Sequence, residues 1–107
     1  MHTLLLLAAL SSQITFNTTR DGDNYTITPV VQIVEDCVCE VQVITEREGQ
    51  SGVSQSRQRN TLALAANKTT EISRIRLNIA ENDNVKIMVT VSDGESLHLV
   101  QQWQPER

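Results

Sequence analysis

The chain has 107 residues, with 9 Lys or Arg against 13 Asp or Glu and a net charge of −4. This is the length of one domain, and the acidic balance argues against a general nucleic-acid binder, because neutralising phosphates takes surplus Lys and Arg. Phe16, Tyr25 and Trp103 are the full aromatic set, too few for a platform that stacks bases or sugars. Two histidines and two cysteines do not make a self-contained zinc finger or a multi-disulfide framework. Eleven Thr, eleven Val and eight Ile are β-branched side chains, stiff at χ1 and suited to a pleated, half-buried surface.

In chain order, Met1–Leu10 (MHTLLLLAAL) stands apart and holds five of the ten leucines. Its apolar run and the small residues after it match a short export signal, although no Lys or Arg precedes the run. It is far below the roughly 20 residues that span a bilayer. Residues 1–11 are therefore read as an export-signal-like segment and 12–107 as one domain, with an extra apolar strand or terminal arm as the alternative.

From Ser12 onward apolar residues recur at every second position. The runs are Ile14–Phe16, Tyr25–Ile33, Cys37–Val43, Leu62–Leu64, Ile75–Ile79, Val85–Val91 and Leu97–Leu99, and a period of two with one apolar face marks half-buried antiparallel strands. Turn chemistry separates them at Asp21-Gly22-Asp23-Asn24, Gly49-Gln50-Ser51-Gly52, Asn82-Asp83-Asn84 and Asp93-Gly94, the last being the best short hairpin signal. Pro29 has no N–H for a ladder, which predicts an interruption, a bulge or an edge in its strand. The expected strands are 12–20, 24–34, 37–47, 54–65, 69–79, 84–92 and 95–103. Together they predict an all-β, seven-stranded immunoglobulin-like β-sandwich, with a small barrel as runner-up.

Charge is unevenly placed. From Arg57 to Arg76 lie five cations (Arg57, Arg59, Lys68, Arg74, Arg76) and one anion (Glu71), a net +4, while the remainder is −8. Arg57 and Arg59 share a strand face, as do Arg74 and Arg76, and the four merge into one patch if their strands pair. A charged face can simply keep a sheet soluble and guard its edge. Clustered on an acidic chain, it also forms a docking face for an acidic partner.

Cys37 and Cys39 point to one face of a strand, the face of Val41 and Val43. They are either small buried hydrophobes or a bonded pair. In an extended strand their Cα atoms lie roughly 6.5–7 Å apart, at the limit for a disulfide. Such a bond would be readily reduced, as a redox pair requires, but Glu35, Asp36 and Glu40 disfavour a reactive thiolate. His2 and His98 have no metal-ligand spacing to the cysteines, and no nucleophile motif such as G-x-S-x-G occurs. No cofactor, metal or small-molecule substrate is indicated.

The opening TLLLLAALSSQITFNTT, the Cys37-x-Cys39 pair and the stretch VKIMVTVSDGESLHLVQQW from Val85 to Trp103 resemble the CsgC family of curli assembly proteins of enteric bacteria, over essentially the whole chain. The resemblance implies a small periplasmic protein with an immunoglobulin-like sandwich that inhibits premature amyloid formation by curlin subunits. It implies a basic surface that guides contact with acidic curlin, a role that falls here on Arg57, Arg59, Lys68, Arg74 and Arg76. Two further roles are consistent with it: a thiol–disulfide partner of the curli secretion machinery using Cys37 and Cys39, and an adaptor for the secretion pore.

Overall fold

The computed structural model describes residues 11–50 and 52–106; the expected export segment lies, apart from Ser11, outside them. The described chain is all-β, as the alternation predicts. Its strands are β1 (Gln13–Asp21), β2 (Asn24–Gln32), β3 (Cys37–Gly49), β4 (Gly52–Leu64), β5 (Thr70–Glu71), β6 (Ile75–Asn78), β7 (Asn84–Ser92) and β8 (His98–Trp103).

Two antiparallel sheets result. In sheet A, β2 lies between β1 on one side and β5 and β6 on the other; sheet B has the order β4-β3-β7-β8. The inward residues of both sheets fill one core: Ile14, Tyr25, Ile27 and Val31 from sheet A meet Cys39, Val41, Val43, Val85, Ile87, Val89 and Val91 from sheet B. Ile27, Ile87, Val89 and Val91 are fully buried. Each such side chain contributes about 1.5–3 kcal/mol on leaving water, which is what holds two sheets of modest length together.

Eight strands are present among the described residues where seven were expected, and Pro29 supplies the reason. β2 runs unbroken through Pro29 at the centre of its sheet, neither interrupted nor at an edge. Residues Asp21 and Asn24 close a two-residue loop, so the even-numbered residues of β2 bond β1 and the odd ones face the other neighbour. The donor that proline lacks is therefore missing on the β5/β6 side. There the partner strand breaks: Glu71 pairs with Val30 and Ile75 with Ile27, leaving Ile72, Ser73 and Arg74 opposite Thr28 and Pro29. Three residues against two is a bulge, and Ile72 N donates to the Pro29 carbonyl at 3.0 Å within it.

The Asp93-Gly94 hairpin also differs in detail. β7 and β8 do pair, but through residues 93–97, and β8 starts at His98 rather than at residue 95. Asp93 Oδ1 accepts from Glu95 N at 2.7 Å and Leu97 N at 3.0 Å, so its side chain organises a longer turn than the dipeptide alone predicts.

The sandwich has unlike edges. At the edge between β1 and β8, Trp103 Nε1 donates to Thr18 Oγ1 at 3.0 Å. The Trp103 ring meets Tyr25 edge-on at 5.9 Å, and the Arg20 guanidinium lies 4.9 Å above Tyr25. The two Trp103 contacts tie the sheets together, while the Arg20–Tyr25 contact joins β1 to β2 within sheet A. At the opposite edge stand β4 and the β5–β6 segment, where Ser73 Oγ donates to Gln58 Oε1 at 3.5 Å.

Candidate functional site

The basic residues collect at that second edge, but not as one face. In β3 the odd residues Cys39, Val41 and Val43 are buried, and cross-strand partners point the same way. Gln58, opposite Val43, therefore faces inward, while Arg57 and Arg59, opposite Ile44 and Gln42, project from the outer face of sheet B. In β6, Ile75 and Leu77 pack on the core, so Arg76 and the preceding Arg74 project from the outer face of sheet A. The two pairs do not lie on paired strands, because β4 bonds β3 and β6 bonds β2. They flank the Ser73–Gln58 contact instead, two on each outer face. Lys68 sits in the connection between β4 and β5, where Asn67 takes φ 60° and donates its N–H to the Ile33 carbonyl at 2.7 Å.

Two of the five cations have carboxylates beside them. Arg59 Nε is 3.7 Å from Glu40 Oε1, and Arg74 Nη2 is 3.5 Å from Glu71 Oε1, with every partner more than half exposed. Pairs this exposed contribute little to stability, so the arginines stay available for exchange with another anion. Arg57, Lys68 and Arg76 have no ion-pair partner among the described residues. Glu40 and Glu71 are the members of the site that sequence reasoning did not pair with the arginines. Glu71 lies at i−3 from Arg74, a spacing visible in the sequence, whereas Glu40 depends on the β3–β4 register.

β4 itself is unusual. It has thirteen residues, of which Gly52–Thr61 are all exposed. Val53, near its start, is 76% exposed. The strand is long because it pairs with β3 without a break, yet only its last residues, Leu62 and Leu64, reach the core.

Cys37 and Cys39 are joined by a disulfide with their Cα atoms 5.4 Å apart. The strand is drawn in from its extended repeat at this point, which brings the pair into the usual Cα range. Cys39 is fully buried, as its shared face with Val41 and Val43 predicts, and Cys37 packs on the core margin. His98 is exposed at the start of β8.

The geometry defines a class: a small two-sheet β protein that presents a cationic edge built from a long free strand and a crossover. Its sequence matches, over residues 5–103, the family model described as thin aggregative fimbriae synthesis protein, Tafi-CsgC. The chain belongs to this family. It is 60% identical to the curli assembly protein CsgC of Escherichia coli over 98% of this chain and 96% of that protein. It is 59% identical to the Salmonella typhimurium protein of the same name, over 98% and 97%. A solved structure described as E. coli curli protein CsgC, SeCys, superposes with a TM-score of 0.85 at 57% identity, covering 89% of this chain and all of that one. The R. palustris CsgH solution structure shares the fold at a TM-score of 0.69 and 19% identity.

Proposed function

We propose that this chain serves curli assembly as a chaperone-like protein of the periplasm, delaying amyloid nucleation of curlin subunits by brief, charge-guided contact. The observation that carries the reading is the gathering of Arg57, Arg59, Lys68, Arg74 and Arg76 at one sandwich edge, a net +4 window on a chain otherwise at −8. Family membership supplies the system. Electrostatic steering raises encounter rates without demanding tight affinity. Contact of this kind hinders the stage at which unpaired strand edges find one another. Since nuclei are rare, substoichiometric amounts suffice, and the action needs no cofactor or chemical step. The bonded cysteines suit an oxidising compartment, in keeping with an export role for residues 1–11. We read the two sheets as an immunoglobulin-like sandwich whose fifth strand the Pro29 bulge divides into β5 and β6.

The test is a thioflavin T time course of purified curlin with this protein well below one equivalent. The wild type should lengthen the lag, and a variant with Arg57, Arg59, Arg74 and Arg76 changed to Glu should not. Inhibition should weaken at about 0.5 M salt, where the Debye length is only about 4 Å. A lag that wild type and variant leave alike unchanged refutes direct action on curlin.

A further inference from the structure

We propose that the free edge of β4 takes up an extended acidic polypeptide as an added strand, with Arg57 and Arg59 setting its register. The proposal rests on the docking reading above and specifies how docking occurs.

Gly49 and Gly52 close the β3–β4 hairpin around a two-residue loop, so this pair exchanges both of its hydrogen bonds. Pairing then alternates without a bulge through Cys37–Leu64. Even-numbered residues of β4 are bonded to β3. The N–H and C=O groups of Val53, Gln55, Arg57, Arg59, Thr61 and Ala63 point away from the sheet, and among the described residues β4 is an edge with no strand beyond it.

Natural edges of this length are blunted by proline, bulges, short strands or charge. β4 has neither proline nor bulge. Its only guards are the two arginines, and an arginine guard is selective. A second copy of β4 would bring Arg57 and Arg59 against the same cluster, where facing like charges repel. An acidic strand meets attraction at the same positions. The other edges are less suited: β1 carries a single cation, Arg20, which lies over the Tyr25 ring. β5 and β6 are only two and four residues long, and β8 carries no Lys or Arg and is anchored through Trp103.

The side chains specify the ligand. Residues of an added strand opposite Arg57 and Arg59 lie on the outer face with Cβ atoms about 5 Å away. They are matched by Asp or Glu at every second position. Residues of the other parity meet Ser56, Gln58 and Asn60, which are uncharged hydrogen-bonding groups. The fitting partner is therefore an extended segment in which acidic residues alternate with hydroxyl or amide side chains, the backbone giving affinity and the arginines giving register.

The experiment uses the full protein and a capped peptide of alternating Glu and Thr long enough to span β4. Gln55→Pro/Thr61→Pro removes two outward N–H groups, costs no backbone bond to β3 and only the exposed Gln55–Glu46 side-chain bond, suits an edge strand and keeps all five cations. It should weaken peptide binding roughly tenfold or more, the loss expected for one or two hydrogen bonds. In the wild type, bound peptide should slow amide exchange at Arg57 and Arg59, whereas Gln58 and Asn60 are already protected in the free protein. This second measurement decides the matter if the proline variant does not fold. A proline variant that binds like wild type, bound peptide without protection at Arg57 and Arg59, or no peptide binding at all overturns strand addition. None of these touches the docking reading, which fails separately if Arg57→Glu/Arg59→Glu leaves the curlin lag as long as wild type does.

Discussion

Reversing arginines on one outer face should cost far more than reversing them on the other. A carboxylate at the cross-strand distance of about 5 Å from Arg57 gains about 0.8 kcal/mol in water. Arg57→Glu turns that attraction into repulsion, a change of about 1.7 kcal/mol, and screening at a Debye length of about 8 Å leaves about half of it. The result is a roughly fourfold loss in affinity, and about twentyfold for Arg57→Glu/Arg59→Glu. Arg74 and Arg76 project from the other sheet, which lies about 10 Å away. A ligand on the β4 face is more than a Debye length from them, so Arg74→Glu/Arg76→Glu should cost less than about twofold. The quadruple variant should then match the β4 double variant within about the same factor. Fluorescence anisotropy of the alternating Glu–Thr peptide in 0.15 M salt measures all three, with curlin lag times as the functional check. Equal losses for the two double variants, or a quadruple loss of about 400-fold as their product, would mean that the four arginines act as one patch and refute the division between faces.

Other outcomes test the frame that holds this edge. Ile87 is fully buried and its neighbour Met88 only partly so, on the opposite face of β7. Ile87→Ala should cost about 3–4 kcal/mol from transfer plus cavity and Met88→Ala about 1 kcal/mol or less, read from urea midpoints; comparable losses would contradict the assigned faces. The N–H groups of Glu95 and then Leu97 hold the Asp93 carboxyl below its ordinary value of 3.8. A lowered folded pKa stabilises above the unfolded value and fades as pH falls through the folded one. The melting temperature of Asp93→Asn should therefore lie below wild type at pH 7, and the gap should close below about pH 4. Cys37→Ala/Cys39→Ala opens a crosslink that encloses only three residues, worth about 1.6 kcal/mol on chain-entropy grounds. That variant should melt earlier yet delay curlin as wild type does; loss of the delay in a folded variant would assign the pair a functional role.

The strands were legible because their signal is local. A period of two sorts Tyr25, Ile27 and Val31, or Val85 through Val91, onto one face whatever the neighbours are. Turn residues such as Gly22, at φ 61°, mark where the chain reverses. The clustering of cations between Arg57 and Arg76 was equally plain, being a property of composition along the chain. Which strand lies beside which is not local. Pro29 signalled a missing donor, but only the pairing shows that the donor is lost on the β5/β6 side, so that the neighbour breaks and β2 does not. Arg57, Arg59, Arg74 and Arg76 read as two like-facing pairs on consecutive strands. The crossover after β4 sends those strands to different sheets and turns their outer faces in opposite directions. Alternation settles which residues share a face of one strand, since that follows from backbone geometry at each residue. Only tertiary structure settles where that face points and which edge stays open, because sheet order is decided by core burial summed over the whole domain.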